Sequence, residues 1–274
     1  MTSRVSQTAE QTCPTDSSGL ADSGRIIQLT DLHLTGTKTR RAWGTDVWPN
    51  FERALELVRQ LEPFDALVLS GDLANTGRLR AYEFLREALE PWIDRVHVVP
   101  GNHDNRRKLR RVFRDLCVDG AGTVNFVANV AGHRLIGLDS KRWFRVHGMV
   151  GKRQLAWLRR TLESSALPAL LFWHHPPRPV GTWWLDRDVL RDAHELEALL
   201  RSHPVRGVFF GHVHQVWSGT FAEACAYGSP STAYQFRPGS MRPGAVAVRD
   251  TALRVIDIAD DTLTTRIVTP STSE

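Results

Sequence analysis

Val96-His97-Val98-Val99-Pro100-Gly101-Asn102-His103-Asp104 is the stretch that decides the fold. An apolar run (Val96, Val98, Val99) stops at Pro100 and Gly101, which punctuate a strand, and three ligand-type side chains follow at once. Outward from it, the same pattern recurs four times. Gln28-Leu29-Thr30 runs into Asp31-Leu32-His33, and Leu67-Val68-Leu69-Ser70 into Gly71-Asp72. Leu171-Phe172-Trp173 runs into His174-His175-Pro176-Pro177, and Val208-Phe209-Phe210 into Gly211-His212-Val213-His214. Open α/β sheets bind ligands in the crevice outside the carboxyl ends of their strands. Five strand ends can therefore converge although the sequence separates them widely.

Amphipathic stretches fill the intervals. Helical spacing appears over 51–61, 79–89 (stopped before Pro91), 108–116, 152–162 and 189–200, and further strands over 124–130 and 135–138. After Gly211 the texture changes. Short strand-like pieces at 216–221, 245–248, 253–258 and 262–268 follow one another without helices, the pattern of antiparallel strands. No repeat and no second linker interrupts the chain. One α/β layered domain is expected over 25–268, between a disordered tail at 1–24 and a short C-terminal tail at 269–274. The first 24 residues are rich in Ser, Thr, Asp, Gln and Gly and have no apolar h-region, so they do not read as a secretory signal.

The 274-residue chain holds no run near the ~18 apolar residues of a membrane helix. Cys13, Cys117 and Cys225 are odd in number and widely spaced, so no disulfide framework is expected and a reducing cytoplasm is favoured. The net charge of +5 speaks to association rather than fold, and nucleic acid is not expected as a partner.

Carboxylate, amide oxygen and imidazole without thiolate form a hard-to-borderline donor set that suits Mn, Fe or Zn. Asp31, His33, Asp72, Asn102, His174, His212 and His214 are too many for one tetrahedral zinc, where four suffice. They suit two ions sharing one carboxylate, roughly 3.5–4 Å apart and able to clamp a phosphoryl group. Gly71, Gly101 and Gly211 are expected to let the backbone turn tightly before each ligand. Asp-x-His or Gly-Asp alone is weak, whereas Gly-Asn-His-Asp and Gly-His-Val-His in this order are specific.

These five blocks resemble those of the calcineurin-like metallophosphoesterases. The resemblance implies a four-layer β-sandwich flanked by helices, with the metal site at the carboxyl ends of the strands. It implies one metal at Asp31, His33, Asp72 and His214 and another at Asp72, Asn102, His174 and His212, with Asp72 as the bridge. His103 would be the catalytic group, and His33, Asp72, Asn102, His103 and His214 would face the substrate. His175 would lie behind the ligands. Asn75, often Asp in relatives, would touch a ligand rather than bind metal.

Beyond the blocks, Gly181–Asp186, Ser229–Pro238 and Asp261–Thr265 are similar to the class III cyclic nucleotide phosphodiesterases of bacteria. That similarity spans 25–268. It implies hydrolysis of 3′,5′-cyclic AMP to 5′-AMP by a hydroxide bridging two divalent ions, Fe or Mn foremost and Zn an alternative. Two readings stay open beside it. One is another phosphodiester or phosphomonoester on the same site, such as a glycerophosphodiester, a nucleotide pyrophosphate or nucleic acid. The other is a non-catalytic metal-binding scaffold.

Trp183 and Trp184 follow His174 on a loop, where they either stack on a purine or complete the core. Arg106, Arg107, Lys108, Arg110, Arg111 and Arg114 occupy polar helix positions and read as a solvated face.

Overall fold

The computed structural model describes residues 5–7, 10–13, 23–117, 122–259 and 262–270. In chain order the first strands are β1 (Val5–Gln7), β2 (Gln11–Cys13), β3 (Gly24–Leu29), β4 (Ala66–Ser70), β5 (Val96–Val99), β6 (Phe126–Val130) and β7 (His133–Gly137). Then come β8 (Ala169–Trp173), β9 (Val205–Phe210), β10 (Trp217–Phe221), β11 (Ala224–Gly228), β12 (Gln235–Phe236), β13 (Val246–Val248), β14 (Leu253–Ala259) and β15 (Thr262–Pro270). The helices are α1 (Val47–Gln60), α2 (Leu79–Leu89), α3 (Arg106–Val112), α4 (Lys152–Glu163) and α5 (Ala193–Leu200).

Two sheets face each other. One runs β1-β15-β14-β3-β4-β5, with β2 also on β15, and the other runs β10-β11-β9-β8-β7-β6. β3, β4 and β5 are mutually parallel, as are β7, β8, β9 and β11. β14 and β15 close the first sheet antiparallel.

Alternation along each strand divides the core in two. Ile26, Val68, Leu170, Phe172 and Phe209 point between the sheets, where Phe172 stacks on Phe209 at 5.1 Å. Ile27, Leu29, Leu67, Leu69, Leu171, Trp173 and Phe210 belong to the other core, which the helices cover. Both faces are therefore buried, the physical reason these strands read as continuous apolar runs. In α1, Trp48, Phe51, Leu55 and Val58 recur at helical spacing and are all buried. Each fully buried side chain of this size contributes about 1.5–3 kcal/mol.

Several expectations fail, at both ends of the chain first: β15 runs to Pro270, into the stretch expected as a C-terminal tail. Within the segment expected to be a disordered tail, Val5–Gln7 and Gln11–Cys13 form short strands against β15. The edge of β15 offers unpaired backbone N–H and C=O groups, which even a polar segment can satisfy. Residues 1–4, 8–9 and 14–22 lie outside the described residues. The cysteines also pair: Cys13 is disulfide-bonded to Cys225, 212 residues away, with Cα atoms 6.1 Å apart. β2 and β11 belong to opposite sheets, so the bond ties one sheet to the other, and only Cys117 is free.

The helix expected at 108–116 splits into α3 and a 3₁₀ turn at Arg114–Leu116, and the one expected at 189–200 begins only at Ala193. Arg107, Lys108, Arg111 and Arg114 are exposed, in keeping with a solvated face, while Arg106 is bound to the buried Asp139 carboxylate.

Candidate active site

The loops after β3, β4 and β5 come from one sheet and those after β8 and β9 from the other, and all five meet at one end of the sandwich. Backbone bonds fix their relative height: Asp31 N–H donates to Gly71 O and His33 N–H to Asp72 O, both at 2.9 Å, and Gly211 N–H to His174 O at 3.0 Å. Five of the ten non-glycine residues with left-handed φ among the described residues are Asp31, His33, Asp72, His212 and His214. Such residues each cost on the order of 1–3 kcal/mol and cluster where a site requires them.

Each aspartate divides its two oxygens between fold and site. Asp31 Oδ2 accepts Thr30 Oγ1–H at 2.8 Å and His212 N–H at 2.9 Å, while the buried Oδ1 has no hydrogen-bond partner. Asp72 Oδ1 accepts His103 N–H at 2.8 Å. Its Oδ2 lies 3.4 Å from His174 Nε2, 3.8 Å from His33 Nε2 and 4.0 Å from His103 Nε2.

The histidines are aimed by their other nitrogens. His33 Nδ1–H donates to Asn75 Oδ1 at 3.3 Å, His174 Nδ1–H to Ser70 O at 3.1 Å, and His214 Nδ1–H to Tyr234 O at 2.8 Å. Their Nε2 atoms therefore face the centre, the orientation that outer hydrogen bonds impose on metal-binding imidazoles. Asn75 has the expected place, touching His33. His212 Nδ1 and His174 Nε2 approach Asn102 Oδ1 at 3.1 and 3.2 Å, and His212 Nε2 is buried without a partner. His175 is engaged at both ring nitrogens, by Ser140 Oγ and by the Val146 carbonyl, each at 2.8 Å. It sits behind the cluster, as expected.

The donor set fits divalent cations. His33 Nε2 and His214 Nε2 lie 3.2 Å apart although each ring already donates its Nδ1–H outward. Two facing lone pairs repel unless a cation lies between them. Burial, then the His103 charge, pushes His33 down to about 3, so with Nδ1–H bonded to Asn75 its Nε2 carries no proton at neutral pH. Burial, then His174, likewise pushes His212 down to about 3. Burial alone would also lower His174, but the Asp72 and Asp31 carboxylates outweigh it and raise it to about 9. Although burial opposes it, His214 and His174 hold Asp31 below the carboxylate range, and His174 and His103 do the same for Asp72. The centre is anionic and attracts positive charge. Asp31, His33 and His214 offer donor atoms within 4.8 Å of one another, and so do Asp31, Asp72 and His174.

The three glycines act differently from one another. Only Gly71 has a left-handed φ, +104°. At Gly101 a Cβ would lie 2.2 Å from Asp72 Oδ1, and at Gly211 it would lie 2.0 Å from Thr30 Oγ1 and 2.6 Å from Asp31 Oδ2. There the missing side chain makes room for the carboxylates.

Asp104 carries a role that the motif did not disclose. Its Oδ2 accepts Gly101 N–H at 2.8 Å and Leu73 N–H at 3.1 Å, and its Oδ1 accepts Ala74 N–H and Tyr82 O–H, both at 2.9 Å. It therefore staples the Asp72 loop to the Asn102 loop. A carboxylate two residues past a ligand on the same turn was the available signal.

Beside the cluster lies a cavity of about 240 Å³, bordered by His33, Asp72, Asn102, His103, His212 and His214 and by Trp43, Val146, Trp184, Leu185, Asp188, Tyr234 and Phe236. Trp184 lines it. Trp183 does not: it is exposed and donates its indole N–H to Met241 O at 3.2 Å.

Residues 24–216 match the profile of the calcineurin-like phosphoesterases. The chain is 32% identical over 258 residues to a 3′,5′-cyclic adenosine monophosphate phosphodiesterase of Escherichia coli, covering 89% of this chain and 88% of that one. It is 34% identical over 203 residues to a cAMP/cGMP dual specificity phosphodiesterase of Mycobacterium tuberculosis, covering 72% and 63%. Among solved structures, a dimetal phosphatase from Danio rerio superposes with a TM-score of 0.63 at 18% identity, covering 90% of this chain and 99% of that one. The last likeness shows the shared fold.

Proposed function

The chain belongs to the calcineurin-like phosphoesterases, and on that footing we propose that it hydrolyses 3′,5′-cyclic AMP to 5′-AMP. The observation that carries the reading is the convergence of seven buried or half-buried donor residues from five strand ends beside a cavity. The name of the Escherichia coli relative, matched over most of both chains, supports the substrate.

We assign one divalent ion to Asp31, His33, Asp72 and His214 and a second to Asp72, Asn102, His174 and His212, with Asp72 between them. Bound there, the ions supply Lewis acidity toward the phosphoryl oxygens and toward water. Fe or Mn is the proposed metal, Zn the alternative.

His103 is the proposed catalytic group. Its Nδ1–H is donated to Asn75 O at 2.8 Å, so Nε2 is the nitrogen presented to the cavity. Protonated there, it hands a proton to the departing 3′ oxygen as the P–O3′ bond breaks and water bonds to phosphorus; the water gives up a proton to solvent, from which His103 is reprotonated. Lys141 Nζ donates to the Asn102 carbonyl at 2.6 Å and steadies the turn that presents both Asn102 and His103. Residues 24–270 form the proposed catalytic domain, with Val5–Gln7 and Gln11–Cys13 added to its sheet edge.

No helix among the described residues is long and apolar enough to cross a membrane. We place the protein in the cytoplasm on the substrate alone, because the Cys13–Cys225 bond removes the cysteine argument for a reducing compartment.

The test combines metal analysis with turnover of a chromogenic diester and a panel of cyclic nucleotides. About two transition-metal equivalents, chelator-sensitive turnover and release of 5′-AMP are expected. Turnover of linear diesters without any cyclic-nucleotide hydrolysis would sink the substrate, and full activity in metal-free protein would sink the site.

A further inference from the structure

The cavity has a wall that bond cleavage does not require. Phe236 stacks on the His214 ring at 4.4 Å, with Trp184 edge-on to it at 4.9 Å and Trp43 at 6.2 Å. Trp43 is 52% exposed and holds a left-handed φ of +51°, an uncommon conformation for a large side chain. The wall therefore begins at a proposed ligand and extends outward as apolar rings.

Among the residues lining this cavity the carboxylates are Asp72 and Asp188. Asp72 belongs to the metal cluster. Asp188 does not: its backbone N–H is bonded to Leu185 O at 2.9 Å, but its carboxylate has no hydrogen bond and no ion pair within 4 Å among the described residues. The charged groups around it are His147, Arg191 and Arg187, none at ion-pair distance. Burial raises its pKa, with those three groups pulling it back. The carboxylate is half-buried and bonded to no protein donor, so it is free to accept a hydrogen bond from a ligand in the cavity.

Resting on the cyclic-nucleotide reading above, we propose that this wall is a base-recognition subsite for adenine. The aromatic rings hold the face of the purine, and the Asp188 carboxylate accepts a hydrogen bond from its exocyclic amine. Stacking is indifferent to which purine is held, since every base has a π-face. Asp188 supplies the choice. Adenine carries an amino donor at the six position, whereas guanine carries a carbonyl oxygen there, so acceptor would face acceptor.

The experiment compares kcat/KM for 3′,5′-cyclic AMP with that for its 6-chloropurine analogue, which keeps the purine, sugar and phosphate but lacks the amine. In the wild type the ratio should favour cyclic AMP by about 10–10²-fold, the range of one good base-edge contact. In Asp188→Ala it should collapse to near one. Damage to the site as a whole lowers both values and leaves the ratio where it was. Asp188→Asn, whose amide can donate as well as accept, should shift turnover toward cyclic GMP. A wild-type-sized ratio in Asp188→Ala overturns the proposal. The cyclic-nucleotide reading fails separately, through wild-type protein that cleaves bis(p-nitrophenyl) phosphate and no cyclic nucleotide.

Discussion

Asp104→Asn isolates the staple between the two ligand loops while keeping its volume. In the wild type four donors converge on one carboxylate, two on each oxygen. An asparagine keeps one acceptor oxygen and turns the other into a donor. Whichever way the amide sits, two donors lose their acceptor and face an N–H₂ group instead. One orientation orphans Gly101 N–H and Leu73 N–H, the other Ala74 N–H and Tyr82 O–H. A bond to a charged acceptor contributes about 1.5–3 kcal/mol, so two lost bonds cost about 3–6 kcal/mol. Burial, then Asp72, raises the Asp104 pKa, so the neutral amide recovers part of that as relief from desolvation. The lower end, about 3 kcal/mol, is the expected net loss, and at roughly 2–4 °C per kcal/mol it lowers the melting temperature by roughly 6–12 °C. Tyr82→Phe removes one of the four bonds, and the acceptor of Asn105 N–H with it, and should cost about 1.5–3 kcal/mol. Because the freed loops carry Asp72 and Asn102, Asp104→Asn should also lower metal occupancy. A misplacement of about 1 Å at such a site can cost 10²-fold in rate. Chemical denaturation and elemental analysis on the same preparations decide it. Wild-type stability with full metal content would refute the staple.

His103→Ala should keep its metals and lose turnover by about 10²–10⁴-fold, whereas Asn102→Ala should lose metal as well as rate; the reverse pattern exchanges the two roles. Cys225→Ser should lower unfolding free energy by about 2–4 kcal/mol while metal content stays at the wild-type level, because Cys225 pairs with Gly207 near the start of β9, away from the strand ends that carry the site. Burial pushes His97 down to about 4, below the ~6.5 of an unfolded histidine. It is neutral in the fold, so its contribution is whole above about pH 6.5 and fades as pH falls toward 4. Denaturation midpoints of His97→Gln should therefore fall less steeply over that window than those of the wild type, and parallel curves would count against it.

How much the sequence could tell depended on whether the cause was local. A strand buried on both faces must be apolar throughout, and a ligand at its carboxyl end must follow at once. Both conditions are written in neighbouring letters, so β3, β4, β5, β8 and β9 and the seven proposed ligands were legible together. Asn75 was legible only through the resemblance to the family, in which an acidic residue often stands at that place. Tertiary structure alone decided what is settled between distant segments. Cys13 and Cys225 have no spacing that announces a bond, and they meet only because β2 joins the edge of one sheet opposite β11 of the other. β1 and β2 have too little apolar pattern to be read as strands, and it is the open edge of β15 that makes them so. Gly101 and Gly211 looked like turn formers, but the atoms that exclude a side chain there come from Asp72 and from Thr30 and Asp31. The aromatic wall draws Trp184 and Phe236 from stretches that the sequence marks, but Trp43 and Asp188 carry no mark of their own, and only the tertiary structure sets all four on one cavity. Period and punctuation record what a residue does to its neighbours in sequence, whereas contact across the sandwich depends on which backbone atoms lack partners once every strand has been placed.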